Sequence, residues 1–165
     1  MGAYPVELYI YELSPESQIW CRDQFLQVLS AEEELLHTSI VVHGTEYSYG
    51  ENGIEEQEPK LRPQCEDEDF EEAVTSIKIL GRTKFTKSEV EELVAKLRKD
   101  STWFSYKFNP VEHNCHHFSQ MFIKLLCGEK VVLPLEVDEF NKQLLSYRDS
   151  WIDEFYEGEN LPRNS

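Results

Sequence analysis

The segment spanning residues 109–120 holds the residue types best suited to chemistry in this chain, a cysteine among histidines and asparagines. Asn114 is a good helix N-cap, so Cys115 would open a helix. A helix N-terminus gathers unpaired N–H groups and the positive end of the helix dipole, which lower a thiol pKa and can bind an oxyanion. Cys115 is therefore a candidate nucleophile, although its position suits a small buried apolar residue equally well.

The apolar spacing after Cys115 predicts an amphipathic helix that ends at Gly128. At about 100° per residue, Cys115 lies inside the apolar arc, whereas His116 and His117 lie outside it. We therefore expect the thiol to face the packed side of the helix and both rings to point away from it. The predicted stripe comprises Phe118, Met121, Phe122, Leu125 and Leu126.

A cysteine nucleophile needs a base, normally a histidine within hydrogen-bonding distance. Among the five histidines, we expect His43 to be solvated in a turn and His113 to face solvent. His37 stands at the start of a β-branched run that predicts a strand. A ring held there by the sheet could face a helix N-terminus packed on that sheet. A lone histidine at a strand end is more often structural, so the residues by themselves leave the partner of Cys115 open.

A metal site is the other chemistry that these residue types suggest, because His113, Cys115, His116 and His117 cluster in sequence. Adjacent residues of a helix diverge, however, and no second cluster has the CxxC or HxxxH spacing of a zinc site. The chain also lacks a glycine-rich phosphate loop and the GxSxG and HExxH motifs. We therefore expect no metal and no cofactor.

Length and charge limit the function further. A chain of 165 residues predicts one domain, which we place at residues 4–157, with 158–165 as a disordered tail. The net charge of −16 argues against binding to nucleic acids and to anionic membranes. No apolar run approaches the roughly 20 residues of a membrane span, so we expect no membrane insertion. Few, irregularly spaced cysteines indicate a reduced protein of the cytoplasm or nucleus.

Hydrophobic periodicity and turn residues predict an α+β domain with a small, largely antiparallel sheet. His43 and Gly44 would form a hairpin turn, and Thr86 with Glu89 a capping box. Two segments carry weaker signals, since 54–70 reads as an acidic surface loop and 103–108 as extended. The predicted strands cover 6–13, 38–42, 45–49 and 74–80, and the predicted helices cover 16–30, 87–99, 115–127 and 138–156.

Four ordered sequence blocks resemble the PPPDE family, the permuted papain-fold peptidases that include the desumoylating isopeptidases. The blocks are 8–13, 37–43, 46–50 and 109–119, and the resemblance extends over about positions 4–135. It implies a papain-like, circularly permuted cysteine peptidase fold of the α+β class, in which a small antiparallel sheet packs with helices. It also implies, for some members, a homodimer with a groove at its interface.

The family resemblance implies a catalytic dyad, which falls here on His37 and Cys115. The implied activity is that of a thiol isopeptidase acting on SUMO- or ubiquitin-conjugated proteins. The main-chain N–H of Cys115 would supply one oxyanion donor, and Asn114 and His116 are further candidates for the oxyanion site or the cleft. Two alternatives stay open, which are a protein S-acyl thioesterase that uses the same dyad and a module that binds a modifier without cleaving it.

The chain departs from the family pattern at two places beside the expected site. Relatives tend to have asparagine after the cysteine, where this chain has His116, and paired glycines where it has Glu51, Asn52 and Gly53. We expect the first change to alter the rim of the cleft and the second the turn beside it. Neither removes the dyad, but both leave the preferred substrate open.

Overall fold

The computed structural model describes residues 3–12, 36–59, 73–109 and 112–142. The predicted helix over 16–30, the end of the last predicted helix and the tail from 158 lie outside these ranges, so the domain limits stay a prediction. The elements are β1 (Tyr4–Glu12), β2 (Leu36–Val42), β3 (Thr45–Gly50), β4 (Gly53–Gln57), β5 (Ala73–Thr83), α1 (Lys87–Lys99), α2 (Cys115–Cys127) and α3, helical over 135–142.

The five strands form one antiparallel sheet in the order β4-β3-β2-β1-β5. The predicted α+β class and antiparallel sheet are therefore confirmed. β1 lies inside the sheet, between β2 and β5, and is apolar on both faces, as is typical of an interior strand. Leu8 and Ile10 enter the main core on one face, whereas Tyr9 and Tyr11 pack with Val41 on the other.

Helix α2 lies across the main-core face of the sheet and contacts β2, β3 and β5. Its buried face is rotated from the predicted stripe, since Leu125 is 43% exposed and Ile123 is fully buried. This rotation brings Ser119 and His116 toward β2, with consequences for the candidate site. The apolar side chains that α2 buries are Phe118, Phe122, Ile123 and Leu126.

The β2–β3 connection is a two-residue turn with positive φ at both His43 (51°) and Gly44 (73°), the combination that type I′ hairpins require. The predicted hairpin is confirmed. The expectation that His43 is solvated was wrong, because its Nε2 lies 2.8 Å from the carbonyl oxygen of Phe85 and its ring packs on Tyr4. The turn is thereby tied to the loop that precedes α1.

Two segments differ from the prediction. Residues 53–57 form β4 instead of belonging to a loop, because the turn before it brings them beside β3. The segment expected to be extended forms two short 3₁₀ turns, Ser101–Trp103 and Ser105–Lys107, the first capped by the Asp100 carboxylate on the Thr102 N–H. Among the helices that the structure describes, none is long and apolar enough to cross a membrane.

Candidate active site

Asn114 starts α2 as its N-cap, as predicted. Its Oδ1 accepts hydrogen bonds from the N–H groups of His116 (2.9 Å) and His117 (3.3 Å). In return the His117 Nδ1 accepts the Asn114 N–H at 2.9 Å, which completes a capping box. His117 thus provides the hydrogen-bond acceptor that a glutamate or glutamine side chain usually provides at this position. The cap fixes Cys115 as the first residue of the helix.

Cys115 faces the packed side of α2, as the helical wheel predicted, and is only 7% exposed. Burial opposes ionisation of the thiol, but the electrostatic interactions of its sulfur with the nearby His116 and His37 outweigh it. The pKa of the Cys115 thiol is consequently well below its ordinary value. A lowered pKa raises the share of the thiolate, which is the nucleophilic form of the thiol.

His37 reaches the thiol from the end of β2. It pairs with Tyr11 in the β1–β2 ladder, and the two rings lie 5.6 Å apart between centroids. Because side chains alternate along a strand, the next residue, Thr38, faces α2 while His37 lies on the side of Tyr11. It lies near the end of the strand, where it interacts with the Cys115 thiol at the N-terminus of α2. The structure thus brings together His37 and Cys115, two residues far apart in sequence.

His116 was expected to point away from the packed side of α2, and this was wrong. Its side chain is 1% exposed. Its Nε2 lies 3.1 Å from the carbonyl oxygen of Leu36, and its Nδ1 lies 3.0 Å from the Thr38 hydroxyl. The Thr38 hydroxyl is also hydrogen-bonded to the Ser119 hydroxyl at 3.0 Å. The rotation of α2 that buries Ile123 explains the error, because it carries His116 onto β2.

Helix α3 covers this N-terminal turn. The ring of Phe140 meets His116 edge-on, at 5.4 Å between centroids. The Asn114 Nδ2 donates a long hydrogen bond of 3.4 Å to the side-chain oxygen of Asn141. These two contacts pack α3 against the first turn of α2.

The other two histidines of the segment pack beside the site. His113 stacks on Trp103 at 4.5 Å between centroids, and its Nε2 lies 2.6 Å from the carbonyl oxygen of Thr102. The expectation that it simply faces solvent was therefore wrong. Burial, reinforced by the nearby His116 and His113, lowers the pKa of His117. That direction agrees with its role as a hydrogen-bond acceptor in the capping box.

A buried carboxylate lies behind the strand that carries His37. Glu46 is 3% exposed and accepts hydrogen bonds from the Tyr11 hydroxyl and from the Ser39 hydroxyl, the latter at 2.6 Å. Because the Tyr11 ring packs on His37, this carboxylate helps to fix one wall around the base. Sequence reasoning missed it. The available signal was an acidic residue opposite Val41 in the predicted hairpin, at a register position that faces the protein interior.

Within the four described ranges, no group of three or more histidine, cysteine, aspartate or glutamate side chains is arranged to hold a metal ion. The cluster around Cys115 is instead organised by hydrogen bonds. Its imidazole nitrogens are directed at backbone carbonyls, a hydroxyl and the thiol. The chemistry that this arrangement supports is nucleophilic attack by sulfur with a histidine as proton carrier.

Comparison with known proteins identifies the family. The sequence profile described as "PPPDE putative peptidase domain" matches residues 4–148. The chain belongs to the PPPDE family. Desumoylating isopeptidase 1 from Rattus norvegicus and from Homo sapiens are each 30% identical to it over 146 residues, which is 87% of this chain and 78% of each relative. The Xenopus laevis protein of the same name is 28% identical over 145 residues, 88% of this chain and 79% of its own.

Membership of the PPPDE family confirms the recognition made from the sequence blocks and, with the observed sheet and helices, the papain-like α+β fold that they implied. The matched region contains both His37 and Cys115. Their proximity is a finding of the structure that is independent of the family match.

Proposed function

We propose that this PPPDE-family protein is a cysteine isopeptidase that cleaves the bond between a small ubiquitin-like modifier and its target protein. One observation carries the proposal. A buried thiol stands at the first residue of α2 with two imidazoles beside it, and its pKa is well below the ordinary value. The relatives named desumoylating isopeptidase 1 favour SUMO as the modifier over ubiquitin.

In the proposed mechanism His37 takes the proton of Cys115, and the thiolate attacks the carbonyl at the end of an extended glycine-rich tail. An S–C bond forms as the isopeptide C–N bond breaks, and the departing lysine amine takes the proton from His37. Water then attacks the thioester with His37 as its base, which releases the modifier's carboxylate and restores the thiol. The peptide link between the two chains is thus hydrolysed without a cofactor.

The oxyanion formed in each step would be stabilised by main-chain N–H groups at the start of α2. The N–H of Cys115 is suited to this role, because the Asn114 cap is directed at His116 and His117 instead. Of the two predicted side-chain candidates, His116 directs its ring nitrogens at β2, so we assign it no oxyanion role. Asn114 stays a candidate.

The decisive experiment replaces each member of the pair. Cys115→Ala and His37→Ala should each abolish hydrolysis of fluorogenic amides of the SUMO and ubiquitin C-termini. Cys127→Ala is the matched control, since it removes a thiol from the last residue of the same helix and should retain full activity. Undiminished turnover in either site variant would contradict the assignment.

The same proteins separate the two alternative functions. Turnover of an S-acylated peptide without turnover of either modifier amide would identify a thioesterase that uses the same pair. Binding of SUMO or ubiquitin by wild type and Cys115→Ala alike, with no turnover of any substrate, would identify a binding module. The homodimer and the location in the cytoplasm or nucleus remain predictions, which sedimentation and microscopy of the tagged chain would test.

A further inference from the structure

His116 contacts both residues that flank His37. Its Nε2 lies against the carbonyl of Leu36, and its Nδ1 lies against the hydroxyl of Thr38. His116 itself directly follows Cys115. The residue that follows the proposed nucleophile therefore contacts, through its ring, both neighbours of the proposed base, and these two contacts form a bridge.

The bridge holds in either charge state of the ring. A carbonyl oxygen can only accept, so the His116 Nε2 carries a hydrogen and donates it to Leu36. The Thr38 hydroxyl can donate to a neutral Nδ1 or accept from a charged one, and Ser119 supplies its second hydrogen bond. Every polar group of the bridge is thus satisfied inside the protein, as burial demands.

The first part of β2 is the place where such a bridge is needed. The ladder with β1 covers Leu36–Val42, but the ladder with β3 covers only Ile40–Val42. Among the described strands, the segment that carries His37 is therefore paired on one side alone, and a strand end held on one side is prone to fraying. The His116 ring supplies attachments from outside the sheet to this segment.

We propose that His116 is a positioning residue that clamps the Leu36–Thr38 segment of β2 to the first turn of α2 and so holds His37 at the Cys115 thiol. The inference rests on the proposed function, in which these two residues are the catalytic pair. Misplacement of a base by about 1 Å can cost on the order of 100-fold in rate, so the clamp acts on turnover more than on substrate binding.

Two substitutions of His116 separate the clamp from the charge of the ring. His116→Gln keeps an N–H donor at about the position of Nε2, whereas His116→Leu fills the space without a donor, and neither carries a charge. The clamp predicts that His116→Leu loses about 100-fold in kcat with KM little changed, whereas His116→Gln stays within about tenfold of wild type. Equal losses in the two variants would overturn the proposal, because only the charge would then matter.

Thr38 tests the second attachment without altering any charge. Thr38→Val has nearly the same shape but lacks the hydroxyl, and Thr38→Ser restores it. We expect Thr38→Val to lose several-fold in kcat, about tenfold at most because the bond to Leu36 persists, and Thr38→Ser to recover most of that loss. A serine variant that is no more active than the valine variant would contradict this part of the clamp.

A matched control tests whether the role of His116 is purely structural. The Nε2 of His43 also contacts a backbone carbonyl, that of Phe85, at 2.8 Å, but in the β2–β3 turn. His43→Asn tolerates the positive φ and removes this contact, so it should lower Tm while kcat is unchanged. If His116→Leu likewise lowers Tm and leaves kcat unchanged, His116 is structural only and the proposal fails.

Alkylation of Cys115 gives a readout that needs no substrate. Iodoacetamide labelling, followed at the Cys115 peptide by mass spectrometry near pH 7, should proceed in His116→Leu at least about tenfold more slowly than in His116→Gln. A wild-type protein that cleaves no conjugate would refute the proposed function, while the order of alkylation would still decide the clamp. Equal alkylation rates in the two variants would refute the clamp alone.

Discussion

The two ends of α2 each carry a cysteine, and the pKa of one thiol is lowered whereas that of the other is raised. Cys115 is the first residue of the helix, and its pKa is well below the ordinary value. Cys127 is the last residue, and burial raises its pKa. The helix dipole is positive at the first position and negative at the second, so it reinforces the difference. The same residue type in one helix thus has a lowered or a raised thiol pKa according to its position.

The surroundings of Cys127 are those of a small, half-buried apolar side chain. Its sulfur lies so close to β5 that a Cβ added at Gly81 would stand 3.3 Å away, and Val131 lies nearby. At Cys115 the corresponding neighbours are the imidazoles of His37 and His116. This contrast in neighbours supports the proposed role of Cys115 as the nucleophile.

Site-resolved alkylation should expose the contrast most strongly. In wild-type protein near pH 7, iodoacetamide should label Cys115 at least about tenfold faster than Cys127, because the lower pKa of Cys115 gives it the larger thiolate fraction of the two, and this outweighs the lower intrinsic nucleophilicity of a more acidic thiol. The ratio should shrink as the pH rises above about 9, where ordinary thiols ionise. Parallel pH profiles at the two peptides would mean that the ends of α2 are chemically equivalent.

A smaller effect should follow from removing the helix cap. Asn114→Ala and Thr86→Ala each delete an N-cap with a complete capping box, on α2 and α1 respectively, and each should cost about 1 kcal/mol in the free energy of unfolding. Only Asn114→Ala should also slow the alkylation of Cys115, by several-fold, since only that cap orients the turn below the thiol. Chemical denaturation and labelling of the same samples provide both measurements.

Should Thr86→Ala slow the labelling of Cys115 as much as Asn114→Ala does, the effect would reflect global loosening of the fold. The N-terminus of α2 would then have no special part in activating the thiol, and its contrast with the other end of the helix would rest on the imidazoles alone.

The smallest predicted effect concerns the pH dependence of the α2 cap. The pKa of His117 is lowered in the folded protein, chiefly by burial, so the unfolded chain binds more protons. The contribution of the neutral ring to stability is therefore complete above about pH 6.5, the ordinary value for histidine, and is lost as the pH falls below it. Partial exposure of the ring limits the loss to about a few tenths of a kcal/mol.

His117→Gln tests this linkage, because glutamine keeps an acceptor for the Asn114 N–H and does not titrate. The variant should match wild type in the free energy of unfolding at about pH 8 and exceed it at about pH 5.5. Thermal melts of both proteins across this range give the comparison. If the difference in stability between the two proteins does not vary with pH, the titration of His117 does not contribute to the stability of the fold.

Local signals predicted the half of the site that a single helix provides. The N-cap at Asn114 and the packed direction of Cys115 follow from short-range rules that one sequence is enough to apply. The hairpin at His43 and Gly44 was predicted for the same reason. The pairing of His37 with Cys115 came from the family resemblance, because nothing in the spacing of two distant residues reports their separation in space.

The missed features depend on contacts between distant elements. His116 points inward because polar groups on β2, above all the Thr38 hydroxyl, form hydrogen bonds with its ring. The burial of Glu46 could not be predicted for the same reason, since its hydrogen-bond donors lie on the other strands β1 and β2. A hydrophobicity pattern counts both residues as polar and assigns them to solvent, which is where it fails for buried hydrogen-bonded groups.

The turn at His43 and Gly44 decides which side chain of β2 meets the nucleophile. Two-residue turns set the register of a hairpin, here with Val42 opposite Thr45. A slip of one residue would send every β2 side chain through to the opposite face of the sheet. Thr38 would then occupy the side of Tyr11, and His37 would lie beneath the helix. We therefore expect insertions or deletions in this turn, although it is remote from the thiol, to alter the candidate active site.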